Sequence, residues 1–420
     1  MAGGLMQLVA YGAQDVYLTG NPEVTFFQAK YKRHTNFAME NIEQTVNGTA
    51  SNSGRVSVTV ARNGDLVGDM YVELKAKATI IQTVAGGAND DCWAAERAVA
   101  SAELSIGGQR VDKHYQRWWR LYSELYLDES KKASWGKMTS PGADGSKIYL
   151  PLIFFFNRNP GLALPLIALQ YHEVRIDFDL SSEFSLYTDN STFKVWANYL
   201  YLDTEERRRF AQKGHEYLIE QVQHTGSDAM ATAGNTKQIR LSYNHPVKEL
   251  VWCADAGSVS KSNLWNFTSV EPILTIATGG DLAASNALVS PSLLGSPQVM
   301  VGDQGLAGES TEEVAGPVDT FKLVLNGQDR FKEQDGKYFN QVQSYQHHSG
   351  CPMPGVYSYS FALKPEEHQP TGTCNFSRID NAQVAIKTKA GAVPQNLNMF
   401  AVNYNVLRIQ SGMGGLAFSN

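Results

Sequence analysis

Cysteine is scarce in this chain of 420 residues: the four present, Cys92, Cys253, Cys351 and Cys374, stand far apart with no CxxC pair. That spacing excludes a disulfide framework and a zinc site built on paired cysteines, and it reads as buried thiols in a reducing compartment. Charge is also sparse, 19% of residues, with a formal net charge of -6. Nothing therefore draws the whole molecule to phosphate, and a nucleic-acid contact would need a local patch. No long apolar run is intact. The most apolar stretch, LPLIFFFNRNPGLALPLIAL from Leu150 to Leu169, is interrupted by Asn157, Arg158, Asn159 and three prolines. It falls short of the roughly 20 unbroken residues a membrane helix needs, and two buried strands with a turn suit it better. The opening MAGGLMQLVAYGAQ lacks the basic start and apolar core of a secretory signal, which points to synthesis in the cytoplasm.

Signatures of catalysis are missing too. There is no GxSxG elbow, no GxxxxGK[ST] loop, no HExxH and no EF-hand spacing. SGMGGLA (Ser411 to Ala417) has the glycine spacing of a dinucleotide loop, but only Phe418, Ser419 and Asn420 follow, too few for the helix that would hold a pyrophosphate. His347-His348 and the PEEH run ending at His368 offer metal-ligand types, yet neighbours on a strand point to opposite faces, so a surface loop is the expected setting. Nothing unites an acid, a base and a nucleophile. The chain reads as non-enzymatic, with no catalytic, cofactor-binding or metal-ligating residue to name.

What is present is a globular balance, 43% hydrophobic, on a chain long enough for two units of about 200 residues. Those units echo each other. MENIEQTV (from Met39) resembles EYLIEQVQ (from Glu216), aligning Ile42-Glu43-Gln44 with Ile219-Glu220-Gln221. RVSVTV followed by LVGDMYVELKA resembles QIRLSYN followed by VKELVWCAD. AELSIGGQR (from Ala102) matches FKLVLNGQDR (from Phe321), both read as hairpins turning at Gly-Gly and Asn-Gly. VWANYLYL (from Val195) resembles AVNYNVLRI, setting Asn198-Tyr199 against Asn403-Tyr404. The spacing between echoes varies while their order holds, as it should in a duplicated β-unit whose loops drift and whose core strands cannot. Short alternating strands with Gly, Pro and Asn turns predict an all-β fold of two antiparallel sandwiches or jelly rolls, with few helices.

One helix is predicted over QRWWRLYSELYL (Gln116 to Leu127), with Trp118, Leu121, Tyr122, Leu125 and Tyr126 on one face. Another begins at Asp203, with Glu206 completing a capping box and the unit boundary near Asp203 to Gly214. Arg207-Arg208-Arg209 follows Glu205 and Glu206 and reads as a salt-bridged linker. The segment from Thr275 to Pro317, rich in Gly, Ser, Ala and Pro, reads as long loops. Near the start, Lys30, Lys32, Arg33 and His34 interleave with aromatics in a pattern that could stack bases. EVTFFQAK has a counterpart in ERRRFAQK at the entrance to the second unit, so a structural role is simpler. Ahead of it, Met1 to Pro22 is glycine-rich yet carries Leu5, Met6, Leu8, Val9, Tyr11, Val16, Tyr17 and Leu18, which predicts an arm ordered by neighbours.

Taken together, AGGLMQLVAYGAQDVYLTGNPEVTFF, YKRHTNFAME, FFFNRNPGLALPLIALQYHEVRI, LKPEEHQPTGTCNFSRIDNAQV and VNYNVLRIQSGMGGLAFSN resemble the major capsid proteins of the nucleocytoplasmic large DNA viruses, especially those of algal viruses. The resemblance spans nearly the whole chain. It implies a tandem double jelly roll with short helices in its loops: an arm over 1–22, a first jelly roll over 23–208 and a second over 209–420. It further implies a homotrimer forming a pseudo-hexameric capsomer of an icosahedral shell in the virion, assembled in the host cytoplasm. Neighbouring capsomers, minor capsid proteins and an internal membrane are the implied partners, with no direct nucleic-acid contact. It brings no cofactor and no catalytic residue. The sequons at Asn47, Asn190, Asn266 and Asn375 are candidate sites for covalent glycans. The alternative from another class is a carbohydrate-binding β-sandwich, lectin-like or glycan-active, in which an aromatic such as Trp265 stacks on sugar.

Overall fold

The first residues form a unit of their own. In a computed structural model that describes residues 3–77, 93–140, 147–255, 316–352, 355–390 and 396–418, the chain divides into one unit ending at Asn36 and one running from Phe37 to Asn420. The first holds two short helices, Gly3–Val9 and Val16–Thr19, and none of their residues is buried. Asp15 ties the turn between them: Gly12 N–H donates to Asp15 Oδ2 (2.8 Å), and Thr19 Oγ1 donates to Asp15 O (2.7 Å). Phe26 and Phe27, farther along, are almost wholly exposed.

The second unit is built from strands. In its first half these are β1 (Phe37–Gln44), β2 (Val46–Asn47), β3 (Arg55–Thr59), β4 (Leu66–Ala76), β5 (Val99–Ile106), β6 (Gln109–Tyr115), β7 (Lys147–Pro151), β8 (Leu164–Pro165), β9 (Val174–Leu180) and β10 (Thr188–Leu202). The second half contains β11 (His215–Ala229), β12 (Thr236–Leu241), β13 (Pro246–Asp255), β14 (Val318–Leu325), β15 (Gln328–Asp329), β16 (Gln334–Asp335), β17 (Val356–Ser360), β18 (Cys374–Asn375), β19 (Ala382–Thr388), β20 (Asn396–Gln410) and β21 (Met413–Leu416). Among the described residues every pairing is antiparallel. One sheet orders β1-β10-β4-β7, and its counterpart orders β11-β20-β13-β17; a second sheet runs β2-β3-β9-β5-β6, and its counterpart runs β12-β19-β14-β15. In the order of their main strands the two halves share one topology, that of a double jelly roll, each half closing a core between two sheets.

Local chemistry accounts for the turns. A two-residue hairpin of the twist-matching kind requires positive φ at both central residues. Gly107-Gly108 (φ +58° and +83°) supplies this between β5 and β6, and Asn326-Gly327 (+50° and +79°) supplies it between β14 and β15. SGMGGLA is a third such turn: Ser411 and Gly412 lie at φ +54° and +80° and fold β21 back onto β20.

Three expectations are corrected. The stretch from Leu150 to Leu169 is not two strands and a turn: after β7 come a helical turn Phe155–Arg158, a 3-10 turn Pro160–Leu162 and the two residues of β8. Phe154, Phe155 and Phe156 are all buried, and a helical turn fans three successive rings into the core where a strand would alternate them. Asn157 fixes that turn, accepting from Phe154 N–H (3.2 Å) and donating to Gly68 O (2.8 Å). The helix at Gln116 ends at Leu125 and is followed by a second, Glu129–Thr139, whose cap is Asp128 accepting from Lys131 N–H at 2.8 Å. The third correction concerns Asp203: it precedes the helix Thr204–Gln212, but its side chain makes no cap hydrogen bond. Arg207 in that helix turns its guanidinium to distant Asp65 (2.9 Å), and Arg208 pairs with Glu205 (3.9 Å), so the basic run is salt-bridged in part and only Arg208 to a neighbouring glutamate.

Candidate assembly surfaces and the seam between barrels

Alternation along β13 and β20 explains how the barrels join. Leu250, Trp252, Ala254, Met399 and Ala401 point into the second barrel's own core, whereas Val251, Cys253, Phe400 and Val402 belong to the core cluster of the first. The sheet β11-β20-β13-β17 is thus buried on both faces. Against its outer face lie β6 and the helix Gln116–Leu125: Trp118 packs on Phe400 at 5.6 Å between ring centroids, and Tyr115 meets His224 edge-on at 5.0 Å. Asp112 Oδ1 accepts from Val222 N–H (3.0 Å), and Gln221 Nε2 donates to Val111 O.

Ionic groups fill this seam. A bulge in β13 skips Lys248 in the pairing with β20, so Lys248 and Glu249 both turn toward the first barrel. Lys248 Nζ lies 2.6 Å from Glu220 Oε1 and donates to Pro365 O (2.6 Å), while Arg158 of the first barrel reaches Glu220 Oε2 at 3.0 Å. Glu249 accepts from Tyr126 Oη and from His348 Nε2, whose Nδ1 lies 3.3 Å from Glu366. Farther along, Lys132 bridges Glu124 (3.6 Å) and Glu129 (3.3 Å) and donates to Cys351 O. Gly350 N–H donates to Leu125 O (3.1 Å). At the chain's end, His172 bonds the Gly414 backbone, and Leu416 N–H donates to Gln109 Oε1 (3.2 Å), tying β21 to the first barrel.

Burial opposes the His348 imidazolium, but the carboxylates of Glu249 and Glu366 outweigh it and raise the group from 6.5 to about 9. Burial likewise opposes ionisation of Glu220, and Arg158 with Lys248 overcomes it, lowering the carboxyl below its ordinary value. Burial lowers Lys248 despite Glu220, and burial pushes Tyr126 well up, with Glu249 adding to the effect. These charges are paired inside low-dielectric surroundings, where breaking one pair costs more than the pair contributes.

The sequence-nominated residues are spread apart. Asn47 is exposed on β2, and Asn375 is exposed with its Oδ1 accepting from Ser377 N–H at 3.0 Å. Asn190 lies in β10, and Asn266, Trp265, Cys92 and most of the Thr275 to Pro317 stretch lie outside the described residues. Cys253, Cys351 and Cys374 form no disulfide, but only Cys253 is buried and Cys351 is exposed, because Cys351 sits in the loop beyond Gly350 and not on a core strand. His347 and His348 do diverge, toward Leu363 O and Glu249. They do so from a helix end, and His348 is buried rather than on a surface loop. Among the described residues no cluster of His, Cys, Asp and Glu could hold a metal, and no helix is long and apolar enough to cross a membrane. The ionic seam escaped sequence reading, since Glu220, Lys248 and Glu249 sit in strands whose alternation reads as surface. The only trace was the adjacent pair Lys248-Glu249 in an otherwise apolar run.

Comparison with known proteins fits this architecture. The family described as large eukaryotic DNA virus major capsid protein matches residues 206–415, and the major capsid protein N-terminus matches residues 25–203. The major capsid protein of Paramecium bursaria Chlorella virus 1 is 45% identical, and that of Phaeocystis pouchetii virus 41% identical, each alignment covering 100% of both chains. The solved PBCV-1 virus capsid superposes with a TM-score of 0.77 at 40% identity, covering 94% of this chain and 100% of that one. The Faustovirus major capsid protein shares the fold at a TM-score of 0.69 and 12% identity, covering 97% and 96%. With both barrels matched over their full length, the chain belongs to the major capsid proteins of the large eukaryotic DNA viruses, a structural and not an enzymatic family, and forms the capsid of such a virus.

Proposed function

We propose that three copies join into a pseudo-hexagonal capsomer that tiles an icosahedral shell. The observation that carries this reading is the repeated strand order of the two halves: three copies offer six like barrels, an outline that can meet six neighbours with few contact types. In this reading residues 1–22 are an arm, 23–208 the first jelly roll and 209–420 the second, and the rigid seam keeps both barrels of a copy in one orientation. Minor capsid proteins and an internal membrane lie beneath the shell, the genome is not touched directly, and synthesis and assembly take place in the host cytoplasm. Asn47, Asn190, Asn266 and Asn375 are the candidate glycan sites, which glycopeptide mass spectrometry of virions would read. Native mass spectrometry tests the capsomer: a trimer should persist across micromolar concentrations, and folded protein that stays monomeric or dimeric would refute it.

A further inference from the structure

Charge in the arm unit runs against that of the chain. From Val24 to Met39 there is no aspartate or glutamate, while Lys30, Lys32 and Arg33 supply three cations in a molecule of formal net charge -6. Among the described residues these three make no ion pair. Phe26, Phe27 and Tyr31 accompany them and are 93%, 98% and 84% exposed. Phe27 N–H donates to Thr25 Oγ1 (3.3 Å), a local turn that keeps the two phenyl rings together. Residues 29–36 then run on without helix or strand.

The helix Gly3–Val9 adds aliphatic surface. At about 100° per residue, Leu5, Met6, Leu8 and Val9 share one side, with Gly3, Gly4 and Gln7 on the other. All four are exposed, as are Tyr17 and Leu18 of the second helix. Apolar surface of this extent calls for a cover, and its chemistry chooses among covers. Single-stranded nucleic acid would stack on the rings, but Leu5, Leu8, Val9 and Leu18 offer bases no flat face and would stay in water. Protein interfaces are poor in lysine. At a lipid surface, by contrast, a lysine lays its stem on apolar neighbours and keeps its ammonium hydrated beside phosphate.

We infer that the arm unit is a surface anchor for an anionic phospholipid bilayer: Phe26, Phe27, Tyr31 and the apolar side of the helix Gly3–Val9 enter the interface, and Lys30, Lys32 and Arg33 meet the headgroup phosphates. This goes beyond the capsomer reading and takes from it only which membrane is met, the one beneath the shell. The anchor is peripheral. Irregular backbone such as 29–36 leaves N–H and C=O groups that hydrocarbon cannot satisfy, so the segment stays at headgroup depth, where aromatic rings settle. Apolar insertion and a basic patch are each weak alone and hold together as two signals. Many copies on one shell multiply that hold.

Vesicle flotation tests this on the full chain. The protein should rise with vesicles of two parts phosphatidylcholine to one part phosphatidylserine, and rise far less with phosphatidylcholine alone or at high salt. The variants Phe26→Ser/Phe27→Ser and Lys30→Gln/Lys32→Gln/Arg33→Gln should each lower binding about tenfold or more, with circular dichroism and native mass unchanged. Hydrogen exchange in the arm should slow on the mixed vesicles while that of the barrels stays the same. Folded wild type that does not float would overturn the anchor, as would binding that survives both sets of substitutions or protection confined to the barrels. Single-stranded DNA bound more tightly than the vesicles would make the stretch a base-stacking arm instead. A chain that floats yet never trimerises would uphold the anchor and refute the capsomer; one that trimerises and never floats would do the reverse.

Discussion

His348 is the residue on which the seam's pH response turns. Its neighbours Glu249 and Glu366 favour the imidazolium against burial, and its folded value of about 9 stands above the 6.5 of an unconstrained histidine. A raised value contributes stability that is complete below about pH 6.5 and is lost as pH rises toward 9. On that shift the contribution is on the order of 3 kcal/mol. The wild type should therefore melt several degrees above His348→Gln at pH 6, with the gap closing by pH 9; a gap that does not narrow would exclude the histidine as its source. Lys248→Met makes a second test. It strips one cation from buried Glu220, and such a loss costs about 3 kcal/mol. The double variant Lys248→Met/Glu220→Gln should recover much of it, measured by chemical denaturation. A double variant no more stable than the single one would show that the pair's charge is not what matters.

Among the elements, the paired hairpins separate local from tertiary cost. Gly107 and Gly327 share positive φ, yet a Cβ on Gly107 would lie 2.4 Å from His172 Nδ1, while one on Gly327 meets nothing within 4 Å. Gly327→Ala should cost about 1 kcal/mol, the backbone term alone. Gly107→Ala should cost more, because His172 must also move away from the Gly414 backbone it holds. Equal losses in the two would show that the His172 contact carries no energy. Both turns were legible in the sequence, since Gly-Gly and Asn-Gly between alternating runs allow little else. The helix at Gln116 was legible from its apolar period, but the one capped by Asp128 was not, because its face mixes Lys132, Trp135 and Ser134. Lys132 also donates to Cys351 O, a partner more than two hundred residues away that no local pattern announces.

For the whole molecule, the arm and the barrels should prove separable. Residues up to Asn36 form a distinct unit, and their apolar side chains, Leu8 and Tyr17 among them, are exposed. Deleting residues 1–20 should leave the circular dichroism and melting of the barrels unchanged while weakening incorporation into shells. Global unfolding would make the arm part of the first barrel's core, and undiminished incorporation would remove its role as a tether.

The amino-acid order by itself determined the duplicated β-architecture, because period-2 alternation and obligate turn residues act over a few positions and need no partner to be recognised. Its echoes were right about strands and loose about register. Ile42-Glu43-Gln44 and Ile219-Glu220-Gln221 lie on equivalent strands four residues out of step, an even slip that keeps each side chain on its face. The Asn-Tyr echo is one residue out, for Tyr199 stands where Asn403 does, not Tyr404. What only the tertiary structure decided was which faces are buried twice. Glu220, Glu249 and His348 become interior because the first barrel, with Tyr126 and Arg158 far from them in sequence, folds against the second. Burial is a property of what comes to lie opposite, and no local pattern encodes it.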